Sequence, residues 1–409
     1  MNPARKLTLF NDPIYGFITI PDPLIFLLIE HRFFQRLRRI SQMGLSYLVF
    51  PGAHHTRFHH ALGSMYLMQR AVRVLRYKNV DISNEEEKAL YAAILLHDIG
   101  HGPFSHAMEH SIVSGLNHED ISLIFMKHIN EEMNHELDLA IAIFKGDYHR
   151  KFLHQMVSGQ LDMDRADYLK RDSFYTGVPE GNVNSERLIS MMHVVDDQLV
   201  IEEKGVYSIE KFLTARRLMY WQIYLHKTSL VAEQLMIRAL QRAKSLVQGG
   251  TYLSGSKALQ FFLKNNISQN DFDESTLNIY AQLDDYDIIS ALKDWQNQDD
   301  FVLKELSRMI INRDLLKIKI KNKKIKGERL QKYIEQVKNE YQLTDEEARY
   351  FVFTGEISNQ AYDKKKEAIN ILMENGKISE ITDTSNHLHL KVLAKPVTKF
   401  YICFPKPKL

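Results

Sequence analysis

The residues best suited to do chemistry lie in LLHDIGHGPFSH, Leu95 to His106, where His97, Asp98, His101 and His106 stand beside Gly100, Gly102 and Pro103. His97 and Asp98 end an apolar run, LYAAILLHDIG (90–100), which reads as a buried helix with Gly100 as its stop. Such a pair must find partners, because an unpaired carboxylate in a dry interior is very costly. A divalent cation would satisfy both. For an isolated His-Asp pair, a satisfied core histidine beside a capping aspartate is the plainer reading, but the surroundings shift the balance. Upstream, HHTRFHHALG brings Arg57, His59 and His60 to the start of another helix; downstream, LDMDRADYLKRDS opens a charged helical face with Asp164. Imidazole and carboxylate together suit Zn, Fe, Mn, Ni or Co and leave positions open for water and substrate. A metal so held can activate water and neutralise phosphoryl oxygens, which points to hydrolysis.

The elements that must position these groups are mostly helical. LTLFNDPIYGFITIP alternates apolar residues around Asp12-Pro13 and Gly16, which predicts a short β-hairpin. LIFLLIEHRFFQRLRRISQ then has helical spacing, and further helical patterns run through about 58–77, 85–98, 119–130, 134–145, 148–158 and 161–171. A small hairpin is predicted at Asp196-Asp197, followed by one long helix from about Ile209 to Gln248 that stops at Gly249-Gly250. Helices continue to about 309. Beyond that, LLKIKIKNKKIK, RYFVFTGE, AINILM, KISEIT and KFYICF are strand-like. The fold class read from this is mainly α with small β-hairpins, plus a smaller C-terminal α/β region. Residues 313–332 hold nine Lys or Arg against two acids. Lysine at alternate positions of an edge strand explains this better than a polyanion-binding strip, which would interleave aromatics.

The 409 residues can bury a large core and allow two or three domains. Lys and Arg total 53 against 51 Asp and Glu, so any basic site must be local. The single cysteine, Cys403, excludes an internal disulfide framework and a cysteine-rich zinc site. No stretch approaches the roughly 18 apolar residues of a membrane span, and the opening residues lack a long apolar run. A soluble cytoplasmic protein is expected.

Taken in order, NDPIYGFITI, FQRLRRISQMG, VFPGAHHTRFHHALG, HDIGHGPFSH, NHED and DMDRADYLKRD resemble the HD-domain phosphohydrolases, and among them the deoxynucleoside triphosphate triphosphohydrolases. The resemblance covers roughly residues 8–245. It implies an HD-domain helical core over 1–250, a helical extension over 251–309 and the mixed α/β region over 310–409. It also implies His60, His97, Asp98 and Asp164 as ligands of a divalent metal ion (Mn, Mg, Fe, Zn or Ni), and cleavage between sugar and α-phosphate. Arg57 matches a phosphate-binding arginine. His101 and His106 match histidines at the α-phosphate, and His118 the proton donor to the leaving oxygen, a task that suits a group titrating near neutrality. Arg165, Tyr168 and Asp172 match phosphate and sugar contacts, with Arg165 in place of a lysine, and their spacing puts them on one helix face. Arg216 would meet a phosphate and Tyr224 would stack beneath the deoxyribose, whereas Trp221 reads as a core aromatic. Gln42 matches a glutamine near the 3′-hydroxyl, and Met43 stands where a leucine is found. Several relatives are tetramers activated by nucleotides at subunit interfaces, so the resemblance implies a homo-oligomer, dimer or tetramer, and a nucleotide activator at a subunit interface. Gln35 and Arg38 match residues of that site, but Glu30 replaces an aspartate and Thr8 a lysine, so an identical activator site is doubtful.

Three functions remain open on sequence alone. They are a deoxynucleotide triphosphohydrolase, another metal phosphohydrolase acting on a different nucleotide or phosphate ester, and a non-catalytic nucleotide sensor. The number of cationic contacts favours the first over the second, and the intact ligand set argues against the third.

Overall fold

The computed structural model describes residues 8–104, 115–384 and 389–406. The helix Arg57–Tyr77 runs through the middle of the core. At its start His59 Nδ1 accepts from the Thr56 N–H at 3.2 Å, covering a donor that the helix cannot use. Phe58, Ala61, Met65, Met68, Val72 and Leu75 are all buried, as a helix that is apolar on most sides must be. The helices Asn84–Leu96 and Met163–Thr176 pack along it. Each begins on a capping side chain: Ser83 Oγ accepts from the Glu86 N–H at 3.1 Å, and Asp162 Oδ1 from the Arg165 N–H at 2.8 Å. The loop after Leu96 and the first turns of the other two helices therefore meet at one end of this layer.

The predicted hairpins are both present. Strands β1 (Leu9–Asp12) and β2 (Gly16–Thr19) pair antiparallel, with Asp12 Oδ1 accepting from Ile14 and Tyr15 N–H groups at 2.9 and 3.0 Å across the turn. Strands β3 (Met192–Val195) and β4 (Gln198–Glu202) pair through Asp196 and Asp197, both left-handed with φ of 49° and 55°. The C-terminal region is mixed α/β. Its strand β7 (Asn370–Leu372) runs parallel to β4 and is followed by β8 (Ile378–Glu380), so the core hairpin grows into a four-stranded sheet. A second sheet orders β5 (Lys317–Lys321), β9 (Val397–Phe404) and β6 (Phe353–Asn359), with the lysine-bearing β5 at its edge. Among the described residues no helix is long and apolar enough to cross a membrane.

Two helices expected as continuous are broken. The segment predicted from LIFLLIEHRFFQRLRRISQ is Pro23–Glu30, then Arg32–Gln35, then a tighter turn at Arg36–Arg39. His31 interrupts it with an extended backbone, and its own Nδ1 caps the restart by accepting from the Phe33 N–H at 3.3 Å. Likewise the helix expected over 209–248 is Val206–Met219, a wide π turn at Tyr220–Tyr224, and Lys227–Gln248. Such a turn inserts extra backbone and re-aims the side chains that follow, here Tyr224.

The His31 break is anchored by Glu132, at the end of the helix His118–Glu132. Arg32 Nη2 donates to Glu132 Oε1 at 2.6 Å, and His31 Nε2 lies 2.9 Å from Oε2. Burial alone would raise the Glu132 carboxyl, but hydrogen bonds from Arg32 and His31 outweigh it and hold the group at about 2. A depressed acid stabilises the fold above its ordinary value near 4.5 and loses that contribution as pH falls toward 2. Glu132→Gln is expected to lower urea stability by at most about 1 kcal/mol at neutral pH. The difference from the parent should shrink steadily below pH 4.5; a difference that does not change with pH would contradict this.

Candidate metal centre and substrate pocket

Four side chains from three segments converge where the helix ends meet. His60 comes from the first turn of Arg57–Tyr77, His97 and Asp98 from just beyond Leu96, and Asp164 from the first turn of Met163–Thr176. His60 Nε2 lies 3.0 Å from Asp164 Oδ1 and 3.8 Å from Asp98 Oδ2. His97 Nε2 lies 3.4 Å from Asp98 Oδ1 and 3.5 Å from Asp164 Oδ1. His97 Nδ1 is spent on the Ile94 carbonyl at 2.7 Å, which leaves Nε2 buried, aimed into the cluster and without a hydrogen-bond partner. One donor atom from each of His60, His97 and Asp164 falls within 4.8 Å of the others, as does one from each of Asp98, His101 and His118. Two neighbouring donor sets thus share a wall, and the rings of His101 and His118 stack at 3.9 Å.

The electrostatics ask for a cation. Burial would lower His60, but hydrogen bonds to Asp164 and Asp167 hold it up at about 10. Burial also opposes a charged His97, and Asp98 and Asp164 overcome it. Asp98 and Asp164 are held well below the usual carboxylate range against their own burial, Asp98 chiefly by His97 and Arg57 and Asp164 by His60 and His97. Carboxylates pushed down beside histidines pushed up describe a pocket short of positive charge. A divalent ion supplies it, and the orphaned His97 nitrogen fits that role. His101 is the exception: burial, then the Arg57 charge, push it well below its ordinary value.

Behind the donors lies a buried chain that the sequence reading missed. His60 Nδ1 is 2.7 Å from Asp167 Oδ2; Arg171 Nε and Nη2 donate to the two Asp167 oxygens at 2.9 and 3.0 Å; Arg171 Nη1 donates to Asp12 Oδ2 at 2.8 Å. Carboxylates behind a ligating histidine fix its ring and raise its basicity. Gly63 faces this chain, and a Cβ there would collide with Asp167 and Arg171. The i, i+3, i+7 spacing of Asp164, Asp167 and Arg171 was the available signal; for Asp12 there was none. Arg36 was missed too. It is fully buried, and its Nη2 and Nη1 donate to the carbonyls of Ile99 and His101 at 2.6 and 2.8 Å. Gly100 does not act as a left-handed helix stop, as expected from sequence. The helix ends at Leu96, and a Cβ on Gly100 would strike the His118 carbonyl and the Ser122 N–H, so the residue is small because another helix passes close by.

Of the residues expected to meet substrate, Tyr168 lies beside the donor His60, ring to ring at 6.4 Å. Arg57 is buried and donates to Asp98 Oδ2. Arg165 donates to Asp162 and, at 2.6 Å, to the Gly159 carbonyl, while Arg216 Nη1 donates to Gln160 Oε1 at 3.3 Å. Tyr224 Oη donates to Asp172 Oδ2 at 2.6 Å, and Tyr168 sits edge-on to Tyr224 at 6.0 Å. His55, unremarked in the sequence, lies 2.7 Å from Asp172 Oδ1 through its Nε2, and its carbonyl accepts from the Gln42 N–H at 3.0 Å. Gln42 Oε1 and Arg216 Nε are buried without a hydrogen-bond partner among the described residues, and Met43 is half-buried beside the core. Trp221 is also half-buried, with Lys399 Nζ 4.2 Å over its ring. His106 lies outside the described residues. Arg38 Nε donates to Gln35 Oε1 at 2.8 Å, and the Arg38 guanidinium lies 3.6 Å over the Phe58 ring.

A helical fold that gathers His and Asp donors at the meeting of three segments, with Arg57 bonded to one of them, fits a metal-dependent hydrolase. Residues 57–172 match the HD domain and 183–251 the HD associated region. The chain is 33% identical to the uncharacterized protein YwfO of Bacillus subtilis, over 99% of this chain and 94% of that one. A phosphohydrolase crystal structure from Bacteroides thetaiotaomicron is 50% identical and superposes with a TM-score of 0.95, covering 98% of this chain and 100% of that one. The deoxynucleoside triphosphate triphosphohydrolase SAMHD1 of Gallus gallus is 29% identical over 68% of this chain and 52% of its own length. The chain belongs to the HD-domain phosphohydrolase superfamily, on the branch that includes the deoxynucleoside triphosphate triphosphohydrolases. It is a hydrolase with a divalent metal cofactor.

Asp167 touches no substrate-side group, so its effect should appear in the metal. Asp167→Asn is expected to weaken metal affinity about 10–100-fold, read by competition with a chelator. Affinity equal to the parent's would show that His60 needs no carboxylate behind it.

Proposed function

We propose that the protein hydrolyses deoxynucleoside triphosphates to deoxynucleoside and inorganic triphosphate. The observation that carries this reading is that Arg57 pairs with Asp98, while Arg165 and Arg216 are held on Gly159 and Gln160, just before Asp164, on whose helix Asp172 accepts from Tyr224. A monophosphate needs fewer cations, and a sugar hydroxyl needs an acceptor such as Asp172. The similarity to SAMHD1 proteins supports it, as do the unpaired Gln42 Oε1 and Arg216 Nε, which await partners.

His60, His97, Asp98 and Asp164 hold the metal, which supplies Lewis-acid polarisation of a phosphoryl oxygen and acidifies water when bound. Arg57, Arg165 and Arg216 neutralise the phosphates. His101, with His106, faces the α-phosphate. A water attacks the α-phosphorus, the bond to the 5′-oxygen breaks, and His118 delivers the proton that the leaving oxygen requires. Tyr168 and Tyr224 wall the sugar, with Tyr224 resisting an added 2′-hydroxyl. Gln42 and Asp172 take the 3′-hydroxyl, with Met43 beside them. A homo-oligomer with a nucleotide activator at Gln35 and Arg38 belongs to the same proposal.

Purified protein with Mn or Mg is expected to release triphosphate from deoxynucleotides at least about 100-fold faster than from ribonucleotides. Orthophosphate or pyrophosphate as the sole inorganic product would refute the reaction. His97→Ala and Asp164→Ala should each lose bound metal and activity together, and activity persisting in either variant would refute the ligand assignment.

A further inference from the structure

Residues 274–287 lie beyond the spans that match the HD domain and its associated region, yet they grip the loop that follows His97. The helix Glu274–Tyr280 ends on Tyr280, whose buried hydroxyl donates to the Gly100 carbonyl at 2.9 Å. The next helix, Asp285–Trp295, begins on Asp285, whose two carboxylate oxygens accept from the backbone N–H groups of Phe104 at 3.0 Å and Ser41 at 2.8 Å. Arg36 already holds the carbonyls of Ile99 and His101, so three consecutive carbonyls are each taken by a buried side-chain donor. At the far end Phe104 has φ of 51°, a left-handed backbone that a bulky residue keeps only when its surroundings impose it.

Two pocket residues hang from this frame. His101 lies between the gripped Gly100 and Phe104, and Gln42 follows Ser41 directly. One carboxylate therefore ties the phosphate side of the pocket to the sugar side.

We infer that Tyr280 and Asp285 are positioning residues for hydrolysis: they fix the 98–104 loop, and His101 with it, relative to Gln42. The activity arm of this inference rests on the proposed function; the loop arm does not. Catalytic groups must be held to a fraction of an ångström, and displacement by about 1 Å lowers rates about 100-fold.

Tyr280→Phe removes only the hydroxyl and keeps the ring among Phe125, Phe262 and Phe272. Asp285→Ala removes both acceptors. On the full chain, four quantities decide the matter: kcat and KM for triphosphate release, bound metal, Tm, and amide exchange of the peptide covering 97–104. Both variants should lose about 10–100-fold in kcat with KM within about twofold. Metal content should be retained, and exchange in that peptide should be about tenfold faster while the Arg57–Tyr77 helix is unchanged. Unchanged kcat or unchanged exchange would overturn the inference, as would a kcat loss accompanied by loss of metal and general loosening. Should the parent release no triphosphate, the proposed function fails by itself and the exchange measurement decides the clamp.

Discussion

The structure turns on the buried chain from His60 through Asp167 and Arg171 to Asp12. Asp167 and Arg171 are fully buried and Asp12 nearly so, in surroundings where a lone charge would be expensive. Removing one member leaves its neighbour uncompensated, typically a loss of about 3–5 kcal/mol. The chain does two things at once. It pins the β1–β2 turn onto the Met163–Thr176 helix, and it sets the ring of His60 so that Nε2 points to Asp164 and Asp98. Gly63 exists for this contact, since any side chain there would push Asp167 and Arg171 out of line.

From that chain the charge balance of the site follows. Asp98, Asp164 and Asp167 put three carboxylates around His60 and His97, with Arg57 paired to Asp98 and Arg171 to Asp167. The two histidines are pushed toward their charged forms and the acids are held ionised, which is the field a divalent cation requires. Arg165 and Arg216 are held by the Gly159 carbonyl and by Gln160 Oε1, in the segment that leads to Asp164. The apolar helices matter because they keep the cluster dry, where each of these interactions is stronger than in water.

Much of this was legible in the sequence. Helical periodicity placed the helices that carry His60 and Asp164 and the one that ends just before His97, and turn residues placed both hairpins, because apolar spacing and turn chemistry are local signals. The breaks were less visible. At His31 a side chain caps a restart inside an unbroken apolar pattern, and at Tyr220–Tyr224 the π turn leaves the periodicity almost intact. Gly100 was legible as a special position but for the wrong reason: its smallness answers a helix contributed by His118 and Ser122, not its own backbone. Asp12, Tyr280 and Asp285 were out of reach altogether, since their partners Arg171, Gly100 and Phe104 are more than 150 residues away in sequence. Donors to a metal announce themselves through residue type; the groups that aim them do so only through packing.

The central claim is that His60, His97, Asp98 and Asp164 form one metal centre aimed by this buried chain. Anomalous diffraction at the absorption edge of bound Mn, from crystals soaked with a non-hydrolysable deoxynucleoside triphosphate, tests it most directly. The account predicts a peak about 2.0–2.2 Å from the His60 and His97 Nε2 atoms and from oxygens of Asp98 and Asp164, with the α-phosphate on the His101 side. A peak ligated by other residues, or a nucleotide bound with its phosphates away from these four, would contradict it.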